Sequence, residues 1–204
     1  REVETLPTTI LSQPGSPIIL DGGQNLAGFV RLRVKGKSGD QITVRHAEVL
    51  ESDGTLHTRS LRSAKATDVY MLADGEEVDL EPIFTFHGFR YAEVESEAEL
   101  VSSEIVAISS DLPRRGWFEC SEPALNKLHE NVVWSQRGNF VSVPTDCPQR
   151  DERLGWTGDA QAFAPTACSL FESEQFWASW LEDLALDQDD VLGVPSVVPD
   201  VVLG

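Results

Sequence analysis

The sixteen residues Asp146–Gln161 (DCPQRDERLGWTGDAQ) hold four carboxylates, two arginines, a tryptophan and two glycines. The charged residues Asp146, Arg150, Asp151, Glu152, Arg153 and Asp159 fall on every face of any regular element drawn through them, and Pro148, Gly155 and Gly158 interrupt its period. The segment reads as a site loop. A glycosidase needs two carboxyl groups flanking the scissile bond, one protonated as acid and one ionised as base or nucleophile. Crowding carboxylates raises one pKa into the working range. Trp156 can stack on a sugar ring, and Arg150 or Arg153 can fix the orientation of an ionised neighbour. A structural reading of the same residues stands beside this one. Asp159 would be the N-cap of a helix beginning at Ala160, Arg150 and Arg153 would pair with Asp151 and Glu152 at the surface, and Trp156 would be core. Residue chemistry alone does not choose between Glu152 and Asp151 as the acid.

Composition narrows the partners. The 204 residues are 41% hydrophobic, enough for a real core and one or two domains. A net charge of -18 and a pI near 4.4 argue against nucleic acid or anionic membrane, because phosphate binding needs a basic face. A neutral, hydroxyl-rich substrate fits better. No run of about 18 apolar residues suggests a membrane span. Cys120, Cys147 and Cys168 are odd in number and widely spaced, which fits reduced thiols and neither a disulfide framework nor a zinc pattern. With no signal-peptide pattern visible, a cytoplasmic location is favoured over a secreted one, and Arg1 in place of methionine suggests a processed or excised piece. No cofactor or metal is expected: His46 and His87 are assigned to packing and hydrogen bonding in a sheet domain and His129 to a helix surface or an interdomain position.

The elements that would carry the loop change period near residue 112. Before it, two-residue alternation dominates: Val30, Leu32 and Val34 against Arg31, Arg33 and Lys35, and Ile42 and Val44 against Gln41, Thr43 and Arg45. Further strands are expected at Asp68–Leu72, Gly88–Glu95 and Ile105–Ser109, with turns at Gly36–Asp40 and Asp74–Gly75. Strands joined by turns without helical period predict an antiparallel β-sandwich over residues 1–112. The polar stretch Glu51–Thr67 is its longest interruption and a candidate functional loop. After Pro113 the period lengthens. Ser121 is the expected cap of a helix with Leu125, Leu128 and Val132 as its apolar stripe. Ser173 is expected to cap another, with Phe176, Trp177, Trp180, Leu181 and Leu184 inward. Between them Ala160–Phe171 looks helical, with Pro165 either kinking it or marking its first turn. The apolar tail Val191–Gly204 is expected to lie against something outside this chain.

Together with Val143-Pro144-Thr145, the loop closely resembles the signature of bacterial α-L-rhamnosidases of glycoside hydrolase family 78. Segments outside the loop resemble that family in the same order: Asp21–Gly28 (DGGQNLAG), His46–Leu50 (HAEVL), Phe86–Tyr91 (FHGFRY) and Val194-Pro195 to Pro199-Asp200. The resemblance covers nearly the whole chain. It implies a multi-domain β-then-α architecture: the sandwich, then the first helices of a truncated (α/α)6 catalytic barrel over residues 113–204. It makes Glu152 the general acid and places Asp146, Trp156 and Asp159 in a rhamnose pocket, with Arg150, Asp151 and Arg153 in supporting positions. Rhamnose-containing glycosides and the remainder of the parent polypeptide become the expected partners.

Family 78 enzymes invert, so a second carboxylate must activate water on the opposite ring face. In the family this base is a glutamate further along the barrel, and nothing here matches it. The isolated chain is therefore expected to be inactive. Two alternatives remain: a non-catalytic carbohydrate-binding or interdomain module, and another (α/α)6 glycosidase.

Overall fold

The computed structural model describes residues 1–12, 16–73 and 75–201. The chain divides into two compact units. One comprises Glu2–Ile108 with Gln149–Asp151, and the other comprises Arg1, Ser109–Pro148 and the chain from Glu152 onward.

The first unit is an antiparallel β-sandwich made by one eight-stranded sheet. Its strands are β1 (Glu2–Pro7), β2 (Thr9–Ile10), β3 (Ile18–Lys35), β4 (Gln41–Ala47), β5 (Thr67–Met71), β6 (Glu77–Leu80), β7 (His87–Ser96) and β8 (Glu99–Ile108). The long β3 joins the two layers: its first part pairs with β2 and β7, and its last part with β6 and β8. Gly28 is the changeover, paired to His87 on one side and Ala107 on the other. A Cβ at Gly28 would sit 1.9 Å from the Val106 carbonyl oxygen, so the close approach requires glycine.

The predicted alternation is present in β3, where Val30, Leu32 and Val34 are buried and Arg33 and Lys35 exposed. Fully burying such a side chain is worth roughly 1.5–3 kcal/mol. In β4 Thr43 is buried as well as Ile42 and Val44. The strand expected at Asp68–Leu72 runs Thr67–Met71, and Asp74 of the expected Asp74–Gly75 turn lies outside the described residues. The motif Asp21–Gly28 contains a register shift opposite Phe89–Tyr91. There Arg90 grips Asp21 with two bonds, Nε to Oδ1 at 2.8 Å and an Nη to Oδ2 at 2.9 Å. This bidentate pair holds the Asp21 carboxyl below its usual range. The Glu51–Thr67 stretch contains a 3-10 turn, Arg59–Leu61, that buries Leu61.

The second unit holds three helices, α1 (Pro123–Asn139), α2 (Thr157–Leu170) and α3 (Glu174–Asp187), and a short hairpin of β9 (Phe140–Val141) with β10 (Val143–Pro144). The cap of α1 is Glu122, one residue later than the expected Ser121. Pro123 has no N–H to offer, and Glu122 Oε1 accepts from the next one, Ala124 N, at 3.1 Å. The expected stripe is also shifted: Leu125 and Leu128 are exposed, while Val133, Gln136 and Gly138 are buried. Val133 packs with Leu170 and Phe171.

Ser173 does sit at the cap of α3, yet makes no capping bond, because its hydroxyl donates to Cys168 Sγ at 3.4 Å. Phe176 and Trp180 are buried as expected, whereas Leu181 is exposed. Pro165 neither ends nor starts α2 but lies inside it. Phe140 stacks on Phe176 with ring centroids 4.3 Å apart, joining the hairpin to α3. The tail differs from expectation in part. Val191 and Leu192 are exposed, but Val197 and Val198 are fully buried, and Val198 packs with Ala160 and Trp180 of this same unit. Trp180 Nε1 donates to the Val198 carbonyl at 3.0 Å, and Val198 N donates to the Gly155 carbonyl at 2.9 Å.

Candidate active site

The loop predicted from composition is closed at its base by two backbone-linked contacts. Leu154 N donates to Asp146 Oδ1 at 3.0 Å, and Asp146 N donates to the Leu154 carbonyl at 3.1 Å. Downstream, Thr157 N donates to the Ser196 carbonyl, and a bridge joins Trp156 to Val197. A Cβ at Gly155 would lie 2.2 Å from the Val198 carbonyl oxygen, so glycine lets the buried tail reach the loop. These contacts fix both ends of the segment carrying Glu152 and Trp156.

Asp146 and Glu152 are brought together: donor atoms of Asp146, Cys147 and Glu152 lie within 4.8 Å of one another. Cys147 Sγ donates to Asp146 Oδ2 at 2.8 Å, so each oxygen of this carboxylate has a defined partner. The indole N–H of Trp156 donates to Glu152 Oε1 at 3.1 Å. Trp156 is the N-cap of α2, where its side chain makes no capping bond, and Asp159 lies in the first turn. The structural reading of Asp159 as N-cap is thereby corrected. A carboxylate there is favoured by the helix dipole and remains exposed.

Asp146 and Asp159 line a common cleft of about 260 Å³ with Ser135, Gln136, Asn139 and Trp177 among its walls. That volume lies below the roughly 300–1,000 Å³ of drug-sized sites and suits one sugar ring. Gln136 Oε1 and Trp177 Nε1, both on its wall, are buried without a hydrogen-bond partner. The Asp146 and Asp159 carboxylates that line the cleft can accept from hydroxyl groups, whereas the Gln136 amide oxygen and the Trp177 indole N–H are buried behind its wall. Gln136 and Trp177 were not singled out as polar site residues from sequence. A glutamine at the buried end of an otherwise apolar helix face was the available signal.

The supporting residues separate. Arg153 is half-buried, its Nε donates to the Pro148 carbonyl at 2.9 Å, and burial lowers its guanidinium from the ordinary value. It braces the loop backbone. Asp151, grouped with the sheet unit, accepts from the Ser63 hydroxyl. That bond lowers its carboxyl from the usual range, and the Arg62 charge acts in the same direction. Arg150, also in the sheet unit, is half-buried.

Within the sandwich, His46, Asp68 and His87 also place donor atoms within 4.8 Å. His87 Nε2 lies 3.0 Å from both Asp68 oxygens, and His46 Nδ1 lies 2.9 Å from the Ala66 carbonyl oxygen. The two rings stack at 4.0 Å with 22° between planes, and both Nε2 atoms approach Asp68 Oδ2, His87 at 3.0 Å and His46 at 3.9 Å. Burial and the neighbouring His87 push His46 down from its ordinary value. Cys120, Cys147 and Cys168 are not joined in disulfides among the described residues.

Comparison with known proteins agrees with this architecture. Residues 12–109 match the bacterial alpha-L-rhamnosidase concanavalin-like domain, and residues 113–204 the bacterial alpha-L-rhamnosidase 6 hairpin glycosidase domain. An alpha-L-rhamnosidase of Streptomyces avermitilis is 48% identical over 98% of this chain, and one of Formosa agariphila 46% over 90%. The chain spans about a fifth of the length of these relatives, 20% of each. The crystal structure of the Streptomyces avermitilis alpha-L-rhamnosidase complexed with L-rhamnose superposes with a TM-score of 0.93, covering 100% of this chain and 20% of that one. The alpha-L-rhamnosidase from Dictyoglumus thermophilum gives 0.93 at 38% identity, covering 98% and 23%. With both of its parts matched in order, the chain belongs to the bacterial alpha-L-rhamnosidase family.

Proposed function

We propose that the full-length protein hydrolyses terminal α-L-rhamnosides with inversion, and that this chain supplies the acid half of the site. Glu152 protonates the glycosidic oxygen, and Asp146, Trp156 and Asp159 hold the rhamnose ring. The observation that carries this reading is the approach of Glu152 to Asp146, which together with Asp159 lines a sugar-sized cleft; Glu152 and Trp156 are not among the residues lining that cleft. The relative solved with L-rhamnose bound supports the choice of sugar. Arg153, Arg150 and Asp151 act as loop supports.

Inversion requires a second carboxylate to take a proton from water roughly 6.5–9.5 Å from the acid. The family resemblance assigns this base to a glutamate further along the barrel. The chain spans a fifth of the length of its relatives, and the base belongs to the remainder of the polypeptide in this reading. The domain division falls between the β-sandwich, residues 1–112, and the helical part, residues 113–204. The partners are rhamnose-containing glycosides and the remainder of the polypeptide. Nucleic acid is disfavoured by the net charge of -18, and no helix among the described residues is long and apolar enough to cross a membrane.

The test is hydrolysis of an aryl α-L-rhamnoside by the full-length protein, followed by NMR to assign the anomer first released. Rhamnose released with inverted configuration supports the reading. Retention, or preference for a glucoside over the rhamnoside, overturns it.

A further inference from the structure

We infer that Trp156, beyond offering a ring face to sugar, is a positioning residue that selects which oxygen of Glu152 carries the transferred proton. The inference rests on the assignment of Glu152 as general acid and adds an atom-level role to it. The indole N–H of Trp156 lies 3.1 Å from Glu152 Oε1. An indole N–H donates and cannot accept. In a protonated carboxyl group the carbonyl oxygen is the stronger acceptor, so the bond to Trp156 makes Oε1 the carbonyl oxygen and leaves the proton on Oε2.

The frame around this bond is rigid. Trp156 is tied to the Leu154 carbonyl through its own N–H and bridged to the fully buried Val197, and the next residue, Thr157, donates to the Ser196 carbonyl. These contacts fix the backbone from which the indole projects, and rotation of the carboxyl by half a turn would set the Oε2 hydroxyl against a donor. In the reaction the Oε2 proton passes to the glycosidic oxygen as the C–O bond to the anomeric carbon breaks, with the bonding pair staying on the leaving alcohol. Water adds to that carbon and gives its proton to the base on the opposite face. Oε1, still bonded to the indole, shares the negative charge left on Glu152.

Leaving groups separate this role from sugar binding. Methyl α-L-rhamnoside needs its leaving oxygen protonated, whereas 2,4-dinitrophenyl α-L-rhamnoside leaves as a stable anion. In the full-length enzyme, Trp156→Phe keeps an aromatic face and removes the donor. Activity falls on both substrates, and the ratio of kcat/KM for the dinitrophenyl over the methyl glycoside rises about tenfold, the order expected for one hydrogen bond to an ionisable group. Glu152→Gln raises the same ratio by about a hundredfold or more. Equal losses on both substrates in Trp156→Phe, with Glu152→Gln responding, overturn the positioning role alone. A flat ratio in Glu152→Gln overturns the acid assignment and the inference with it. Should Trp156→Phe fail to fold, the indole resonance of Trp156 in ¹⁵N-labelled enzyme decides. It moves when Glu152 is replaced by glutamine, and its failure to move overturns the inference.

Discussion

Asp146 and Leu154 exchange hydrogen bonds in both directions, Leu154 N to Asp146 Oδ1 at 3.0 Å and Asp146 N to the Leu154 carbonyl at 3.1 Å. One carboxylate thus closes the loop that carries Glu152 while also lining the cleft. Asp146→Ala removes both functions, leaving the half-buried Leu154 N–H without its side-chain acceptor at a cost of about 1 kcal/mol. The expected result is a lower melting temperature together with loss of kcat/KM. Asp146→Asn keeps an acceptor for Leu154 N, so it recovers most of the stability but little of the activity. Thermal unfolding and kinetics of both variants check the separation, and activity restored in parallel with stability would argue for a purely structural Asp146.

Gln136 is expected to show the opposite pattern. Its Oε1 is buried without a partner on the cleft wall, while Nε2 reaches the Ala167 carbonyl only at 3.4 Å. Replacing an unsatisfied acceptor by an apolar group of similar size is close to neutral or stabilising. Gln136→Leu should therefore keep or raise the melting temperature and raise KM for rhamnosides. A lower melting temperature with unchanged KM would remove Gln136 from the site.

Gln136 also marks the limit of what the residues reveal alone. The composition of Asp146–Gln161 exposed the site loop, and alternation exposed β3 and β4, because both signals are local. Which carboxylates converge was not local. Glu152 meets Trp156 and Asp146 through a fold that no single period describes, and the choice of Glu152 over Asp151 came from family resemblance. The structure separates these two neighbours: Asp151 bonds Ser63, whereas Glu152 bonds Trp156. Leu125, Leu128 and Leu181 fit helical stripes in sequence but are exposed, and a hydrophobic pattern does not say which partner covers it. Glu122 displaced Ser121 as cap because Pro123 left Ala124 as the first available donor.

The sandwich carries a built-in acid sensitivity at His46, which is fully buried between His87, Phe89 and the Ala66 carbonyl, with the Asp68 carboxylate 3.9 Å from its Nε2. Burial and His87 depress its folded-state pKa below the unfolded value of about 6.5. The unfolded chain then binds the proton more readily, so the associated stability is present above about pH 6.5 and is lost as pH falls towards the folded value, at up to about 1.4 kcal/mol per pH unit. Denaturant titrations of the wild type and His46→Gln from pH 7 to 4.5 should show a shallower slope in the variant. Identical slopes would assign the acid sensitivity to other groups.

A contribution of opposite charge type comes from Asp21. The Arg90 pair lowers its folded pKa, so its stabilisation is present above the unfolded value of about 3.9 and disappears as pH falls through the lower folded value. Asp21→Asn should lower the melting temperature at pH 7, with the difference from wild type closing as pH falls through the lowered folded value. A difference that persists unchanged into acid would mean that shape, not charge, holds the register shift of β3.

The central claim is that Glu152 donates the proton that lets the glycosidic bond break. Its most direct measurement is kcat/KM of the full-length enzyme and its Glu152→Gln variant on methyl α-L-rhamnoside, at matched folding by circular dichroism. The account predicts a loss of at least about a hundredfold in the variant, the usual contribution of a general acid. A Glu152→Gln enzyme that cleaves this substrate at the wild-type rate would contradict it.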